Sequence, residues 1–387
     1  MLARWGPLAS GIGARAFRYV GLAEGENVSA LDVLASAAAE PDYGLDLSLF
    51  ADSGTPHGAR FSFGAQPFGN AKVDYASQAP FHMGFHHEAR IVFAAAGFLR
   101  RTQPEARVAL FSALARHAFA SGHPYWGYRF LGWGLHYVGD LTQPYHTRVL
   151  PTYGTMGMLW INIKAMVGFD KAKNDAIDRI SKRHTTIENY HRSVLAKAYA
   201  QKNLQHPFIE GMRKTDKDKT YAAFNDDYIV DVTAKESYGF SDKVDELIDQ
   251  SNLLQSFSDG NELPIQNSKA LAELDTTIIQ LMEGAGAHLR NMAFYNAPLR
   301  MLKRVRDAAA AGAPIMPLER AIHRLTGELA DWHGLDAGHL REGARADVAV
   351  IEEHFRDKPE VSGTARKIAE SLDIKDDDIR SLRLGGI

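Results

Sequence analysis

Apolar residues recur at helical spacing along most of the chain and predict a mainly α-helical protein. The strongest pattern is the aromatic run at residues 125–133, which a helix would extend through His136. Residues 29–39 give a second helical run, and residues 14–20 give a shorter one. Helical patterns return in residues 195–300, separated by polar connections. Together these segments predict a multi-helix domain.

Residues 47–80 break this pattern, because they are rich in Gly, Pro, Ser and Phe and lack a clear period. They predict a long loop. Loops of this length in compact domains are often functional, so the segment is a place to look for binding residues.

An apolar, methionine-rich segment occupies residues 156–167 and is too short to span a bilayer. One interpretation is a core or lid helix. The other is an interfacial segment that makes transient contact with a membrane surface. In that case the side chains that enter the lipid are Met158, Leu159, Trp160 and Ile163.

The end of the chain has a different pattern. Residues 315–332 predict a helix that starts at a Pro, and residues 338–351 predict two short strands about a turn. A domain boundary near residues 300–314 fits this change. We therefore predict a helical domain at residues 1–300 and a small α+β, helix-hairpin extension at residues 314–387.

The amino-acid composition limits the classes of partner and the types of metal ligand that the chain can have. Of the 387 residues, 45% are hydrophobic and 24% are charged, which are ordinary globular values. The net charge of −3 argues against a stable nucleic-acid complex held by bulk electrostatics. The chain has no cysteine but has 16 histidines, so any zinc ion must be held by His, Asp and Glu.

One stretch combines these ligand types. If the aromatic helix continues to its end, His136 and Asp140 lie four residues apart on one face and can reach the same cation. Pro144 cannot continue a helix, so the chain turns there and brings His146 round as a further donor. Taken alone, His136 and Asp140 also fit a core helix with a satisfied His and a surface Asp.

From His136 to His146 the sequence reads H-Y-V-G-D-L-T-Q-P-Y-H. It resembles the H-x-x-G-D-x-x-Q-P-x-H motif of the zinc-dependent phospholipase C and single-strand-specific nuclease superfamily, and the resemblance extends over residues 5–300. It implies a mainly α-helical fold and an enzyme in which two to three zinc ions hydrolyse phosphodiesters.

The resemblance also implies the ligands and their roles. Asp42 would bind zinc and act as the general base, with Asp46 as a fallback one turn on, and His86 is a substitute for His82. The first metal group would contain Asp42, His82, His136 and Asp140, with Asp140 bridging two metals. The second group would contain His146, His184 and Glu188.

A third metal site is less complete. The family opens with W-G-x-L-x-H, in which the Trp is the mature N-terminus and binds zinc. In this chain Trp5 follows four residues, and Ser10 stands at the His position. The resemblance still makes Trp5 a candidate ligand, which processing would have to expose. It implies a secreted or periplasmic protein, although the first residues lack the apolar core of a signal peptide.

The substrate is either a phospholipid or a nucleic acid, and of the two we expect the phospholipid headgroup of a phospholipase C substrate. The methionine-rich segment and the lack of a basic face favour a phospholipase C. The W-G-x-L-x-S opening and the aromatics, with Tyr43 as the candidate substrate-binding residue, favour a nuclease or nucleotidase of the same superfamily. The serine at position 10 leaves a third alternative, a metal-binding homologue with impaired catalysis.

The C-terminal segment has its own resemblance. Residues 315–326 and residues 338–351 are similar to the end of amidohydrolases of the D-aminoacylase kind. No amidohydrolase metal motif precedes them, so this resemblance carries no activity to the chain.

Overall fold

A computed structural model of the protein describes residues 2–3, 19–20, 22–23, 25–61, 63–256, 267–294, 297–333 and 339. Within these residues the protein is mainly α-helical, which confirms the fold class. Two short strands, Leu2–Ala3 (β1) and Tyr19–Val20 (β2), pair antiparallel. The helix predicted over residues 14–20 is therefore wrong at its last two positions, where cross-strand pairing replaces local helical hydrogen bonds.

The described helices are α1 (Ala30–Ala37), α2 (Pro56–Phe61), α3 (Asp74–Ser77), α4 (Ala79–His82), α5 (Arg90–Ala95), α6 (Pro104–Ala120), α7 (Pro124–Asp140), α8 (Pro144–Thr147), α9 (Gly154–Met166), α10 (Lys171–Ala200), α11 (Pro207–Arg213), α12 (Lys235–Gln250), α13 (Leu253–Ser256), α14 (Lys269–Phe294), α15 (Ala297–Ala310), α16 (Leu318–Leu325) and α17 (Gly327–His333). Five of them begin with Pro at the first helical position: α2, α6, α7, α8 and α11. Proline, which has no amide hydrogen, loses no helical hydrogen bond at this position, because the first amides of a helix have no intrahelical acceptor.

The aromatic helix α7 packs against both α6 and α1. Glycines allow the close approach. A Cβ on Gly132 would lie 2.7 Å from the Leu34 carbonyl oxygen and from the Ala37 Cβ of α1. A Cβ on Gly127 would meet the Phe119 ring of α6 at 2.6 Å. Because α7 carries His136 and Asp140, this packing sets where those side chains lie relative to α1.

A large apolar core lies between the helices that follow α7. It joins buried side chains of α8, α10, α11, α12, α13 and α14, namely Tyr145, Ile187, Tyr190, Phe208, Val244, Leu247, Ile248, Leu253, Leu271, Leu274 and Ile278. Burial of so many large apolar side chains is the main stabilising contribution to this part of the protein. The core fixes α8 and α10 relative to each other.

A second, smaller core lies under the segment that precedes α6. It contains Phe85, Val92, Ala96, Leu99 and Met158, with Phe68 packed against it. Residues 47–80, predicted as one long loop, contain the short helices α2 and α3 and the start of α4. Each is at most six residues long, which is too short for helical periodicity to show in the sequence.

The chain divides into two compact units, Met1–Arg290 and Asn291–Ile387. The predicted boundary near 300–314 lies inside the second unit. In that unit α16 packs against α15 and against α17, and the helix predicted over residues 315–332 is interrupted at Thr326. Of the predicted strand segment, only His339 belongs to the described residues. No helix among the described residues is long and apolar enough to cross a membrane.

Candidate metal centre

Asp42 lies in a 3₁₀ turn, Pro41–Tyr43, that follows α1. The residue before this turn anchors it, because Glu40 accepts hydrogen bonds of 2.9 Å from two guanidinium nitrogens of Arg129 and one of 2.6 Å from the Trp133 indole. Both donors belong to α7. The helix that carries His136 therefore also positions the turn that carries the half-exposed Asp42.

His82 ends the short helix α4 and is buried. Its Nδ1 lies 3.0 Å from Nε2 of His136 and 2.8 Å from Oδ2 of Asp140. Oδ1 of Asp42 lies 3.7 Å from both of these ring nitrogens. The candidate ligand atoms of Asp42, His82 and His136 lie within 4.8 Å of one another. We call these three residues and Asp140 the first group.

The orientation of His136 leaves a lone pair facing this group. Its Nδ1 lies 2.7 Å from the Ala38 carbonyl oxygen, and only a ring N–H can donate to a carbonyl. In the neutral ring the other nitrogen, Nε2, is then an acceptor. It lies 3.3 Å from Oδ2 of Asp140, so either a second ring proton or a cation must lie between the two atoms. Burial disfavours that second proton, but the charge of Asp140 outweighs burial and raises the pKa of His136.

A second group forms where α8 meets α10. Nε2 of His146 lies 3.0 Å from Nε2 of His184 and 3.7 Å from Oε1 of Glu188. His184 Nε2 lies 2.8 Å from the same carboxylate oxygen. The candidate ligand atoms of these three residues lie within 4.8 Å of one another. His146, His184 and Glu188 are the second group.

Contacts on both sides hold this second group together. The Tyr145 hydroxyl donates to Oδ1 of Asp245 on α12 at 2.8 Å, and the Tyr145 ring stacks on His184 with a centroid distance of 5.8 Å. Arg179 and Arg183 of α10 donate to the carboxylate and the carbonyl of the same Asp245, each at 2.6 Å. Asp245 thus fixes α8 and α10 against one another through α12.

His82 links the two groups. Nδ1 of His146 donates to the His82 carbonyl oxygen at 2.8 Å, which leaves Nε2 of His146 as the acceptor that faces the second group. The His82 ring meanwhile faces the first group. The chain from His136 to His146 therefore contributes to both groups, and the turn at Pro144 separates its two contributions.

The charges within the first group are strongly coupled. Burial disfavours the charged form of His82, but contact with Asp140, aided by Asp46, outweighs burial and raises the pKa of His82 to about 10. Burial likewise opposes ionisation of Asp140, but the charges of His136 and His82 hold the pKa of Asp140 well below its usual range. The first group therefore contains carboxylate charge that either protons or a cation must balance.

The donor spacing fits zinc. Donors about 2.1 Å from a tetrahedral zinc ion lie about 3.4 Å from one another. The distances between neighbouring donors run from 2.8 to 3.7 Å in both groups. Oδ2 of Asp140 is buried and accepts no well-formed hydrogen bond among the described residues, although two ring nitrogens lie close to it. That is the environment of an atom whose partner is a cation.

Two fallback ligands lie elsewhere. Nε2 of His86 lies 2.7 Å from Oε1 of Glu105, away from the first group. Asp46 lies on the far side of His82, with its Oδ2 3.3 Å from Nε2 of that ring. Asp46 is therefore placed to orient His82 rather than to replace Asp42.

The candidate for substrate binding, Tyr43, follows Asp42 directly and is 45% exposed. Trp5 and Ser10, which bear on the third metal site, lie outside the described residues. For the candidate ligands among the described residues, the structure gives the positions, and their binding of a metal stays a prediction.

Spacing in the sequence did not reveal the residues that support the first group. The Tyr137 hydroxyl donates to Asp46 at 2.5 Å, and an Arg107 guanidinium nitrogen lies 2.5 Å from the other oxygen of Asp46. Gln78 donates to Asp42 at 3.4 Å. These residues come from separate elements, so no local motif marks them.

His288, to which the sequence assigned no role, lies in a separate buried network. Its Nδ1 is 2.8 Å from the Tyr228 hydroxyl, and its Nε2 is 2.8 Å from Oε2 of Glu236. Both ring nitrogens thus have partners, and the network joins the π-helical turn region before α12 to α14.

Comparison with known proteins gives little on function. No protein-family model matches the chain, and no solved structure matches it significantly. Uncharacterized proteins of Mycobacterium bovis and of two Mycobacterium tuberculosis strains are 56% identical to it over 92 residues. The match covers 24% of this chain and 15% of the length of each relative.

Proposed function

We propose that this protein is a zinc-dependent phosphodiester hydrolase of the phospholipase C kind. The observation that carries the proposal is the pair of adjacent donor groups, each with the spacing of a zinc site and linked through His82. The motif from His136 to His146 adds support, because its resemblance to the phospholipase C and nuclease superfamily implies the same division of ligands. A secreted or periplasmic location is part of the proposal.

The first group would hold one metal site and the second group another. Zinc supplies positive charge that polarises a phosphoryl oxygen and lowers the pKa of a bound water molecule. Asp140 lies between the groups, since its Oδ1 is 3.6 Å from Nδ1 of His146 while its Oδ2 faces His82. Its carboxylate would supply negative charge directly to the first site and, from behind the His146 ring, to the second.

Asp42 is the proposed general base. It is the most exposed carboxylate of the first group, so a water molecule can reach it. Partial burial and the nearby charge of Asp140 raise the pKa of Asp42, although the charge of His136 opposes them. A base whose pKa is shifted toward the working pH transfers protons more effectively than an ordinary carboxylate.

The preferred substrate is a phospholipid. The chain has a net charge of −3, which gives no bulk attraction for a polyanion. The helix α9, between the ligands His146 and His184, exposes large apolar side chains such as Trp160. Such an exposed apolar surface suits a substrate that is presented in a lipid aggregate.

A nuclease is the second candidate. Tyr43 and Phe63 are 45% and 41% exposed, and Tyr43 is adjacent to Asp42 in the chain. Exposed aromatic rings beside a phosphodiester site can stack nucleic-acid bases. The same rings can also line a headgroup pocket, so the substrate must be decided by assay.

The test compares hydrolysis of phosphatidylcholine micelles and of single-stranded DNA by one preparation, together with its zinc content. We expect two to three zinc ions per chain, hydrolysis of the lipid, and loss of activity in chelator. Cleavage of DNA alone would assign the protein to the nuclease class. A single zinc ion without activity on either substrate would indicate a metal-binding homologue with impaired catalysis and would refute the proposal.

His184 and His86 provide a matched pair of variants. Both side chains are 19% exposed, and each ring lies within 2.8 Å of a glutamate oxygen, but only His184 belongs to a donor group. We expect His184→Ala to lose about one zinc ion per chain and most of the activity. The His86→Ala variant should keep its zinc ions and its activity. Equal losses in the two variants would show that the effect comes from a damaged fold.

A further inference from the structure

The helix α9 is apolar on two opposite faces, and only one of them packs against the protein. Met158 is buried in the core that also contains Phe85 and Leu99, so the prediction that Met158 enters a lipid surface is wrong. On the other face, large apolar side chains remain more than half exposed. This exposed stripe consists of Met156, Trp160, Ile163, Met166, Val167 and Phe169.

The spacing shows that the stripe is one continuous surface. Met156, Trp160, Ile163 and Val167 follow each other at intervals of four, three and four residues, which places them on a single helix face. Six of the nineteen exposed large apolar side chains among the described residues lie within residues 156–169. A concentration of this kind marks an interaction surface, whereas single exposed apolar residues are ordinary.

The charged residues near the stripe indicate which kind of partner it binds. Residues 141–169 contain no Asp or Glu, and their two cations are Arg148 and Lys164. The Lys164 ammonium lies 5.2 Å from the centre of the Trp160 ring, at the edge of the stripe. An apolar face edged by Trp and Lys is the composition of helices that lie in the interface of a lipid bilayer. Protein interfaces, by contrast, usually carry a polar rim with hydrogen-bonding groups.

The stripe also lies close to the second group. Arg179 of α10 donates to the Thr152 hydroxyl at 3.1 Å and stacks over the Tyr153 ring at 5.2 Å, which ties the start of α9 to α10. His184 is five residues from Arg179 on α10, and Met156 is three residues from Tyr153, which is about 7.5 Å and about 4.5 Å along the respective helices. The Met156 end of the stripe is therefore the end tied to the helix that carries His184.

We propose that the exposed stripe of α9 docks the protein on a lipid bilayer surface, with Trp160 at the interface and Lys164 directed to the headgroups. The docking itself stands on the exposure and charge of α9. Its consequence, delivery of phospholipid to the donor groups, rests on the proposed function. A helix in this position enters the boundary between headgroups and acyl chains to a depth of about 5–10 Å.

The test measures binding of the full chain to vesicles of equimolar phosphatidylcholine and phosphatidylglycerol by sedimentation. The test variant is Met156→Glu with Ile163→Glu, which keeps Trp160 as a reporter. The control is Leu31→Glu with Leu204→Glu, which adds the same charge at apolar positions that are 71% and 62% exposed outside α9. We expect the test variant to bind at least about tenfold more weakly than wild type and the control to bind like wild type.

Trp160 emission gives a second readout. Its spectrum should shift to shorter wavelength when wild-type protein binds vesicles, and the Trp160→Phe variant should lack that shift while it still binds. Absence of vesicle binding by wild type, or equal loss in test variant and control, overturns the proposal. The proposal is also overturned if wild type forms a dimer in solution, the test variant is monomeric and neither binds vesicles, because the stripe then contacts a second copy of the chain.

Failure of docking and failure of the proposed function give different results. Hydrolysis of a soluble short-chain phosphatidylcholine without vesicle binding would leave the function standing and would refute the docking surface. Vesicle binding that depends on the stripe, without hydrolysis of either lipid, would support the docking surface and remove the proposed function.

Discussion

The replacement Asp46→Asn tests whether a residue outside the donor set controls zinc affinity. Asp46 is fully buried, and its Oδ2 lies 3.3 Å from Nε2 of His82 while Nδ1 of that ring faces the first group. A ligand histidine normally donates its other N–H to an acceptor, which fixes the ring and makes the ligand nitrogen more basic. Asn keeps the volume but not the charge of this acceptor.

The magnitude follows from the number of ligands affected. One of the rings in the first group loses its charged partner, and loss of such a partner weakens metal binding by about 10- to 100-fold, or about 1.4 to 2.7 kcal/mol. The variant also breaks the buried ion pair between Asp46 and Arg107. Breaking one side of such a pair costs about 3 kcal/mol or more of folding stability.

These two effects must be separated, and Arg107→Met provides the control. It breaks the same ion pair but leaves Asp46 beside His82, with the hydrogen bond from Tyr137 intact. Both variants should lose comparable stability in urea denaturation of the zinc-free protein. Only Asp46→Asn should lower zinc affinity, measured by competition with a chromophoric chelator. If the two variants lose zinc affinity equally, Asp46 acts through the fold, and the argument that it orients His82 is wrong.

Two further predictions concern stability. Gly132→Ala should lower the free energy of unfolding by about 1–3 kcal/mol, because the added Cβ would meet α1. Gly139→Ala should raise it by up to about 1 kcal/mol, because a Cβ there has no atom within 4 Å. Chemical denaturation measures both variants, and equal effects would contradict the close packing of α7 on α1. In zinc-free protein the pKa of His82 is raised to about 10, above the unfolded value of about 6.5, so its stabilising contribution is complete below pH 6.5 and is lost as the pH rises toward 10. Urea denaturation across that range should show stability falling with pH, and a flat profile would refute the coupling to Asp140.

Local spacing predicted what lies within one helix. His136 and Asp140 are one turn apart in α7, and His184 and Glu188 are one turn apart in α10, so each pair shares a face whatever the rest of the chain does. The position of Asp46 depends instead on contacts with Arg107 and with Tyr137, on α6 and α7. No spacing rule relates residues so far apart in the sequence, so the sequence predicts only a spare ligand at Asp46.

The apolar segment α9 shows a different limit of sequence reasoning. Periodicity finds the face that a helix buries by contrast with polar residues on the other face, and α9 offers no such contrast because both faces are apolar. The sequence therefore left a core helix and an interfacial helix as alternatives. In the structure Met158 packs into a core while Trp160 stays 58% exposed, so each alternative describes a different face of the same helix. A helix of this kind can be fixed to the protein on one side and offer the other side to lipid.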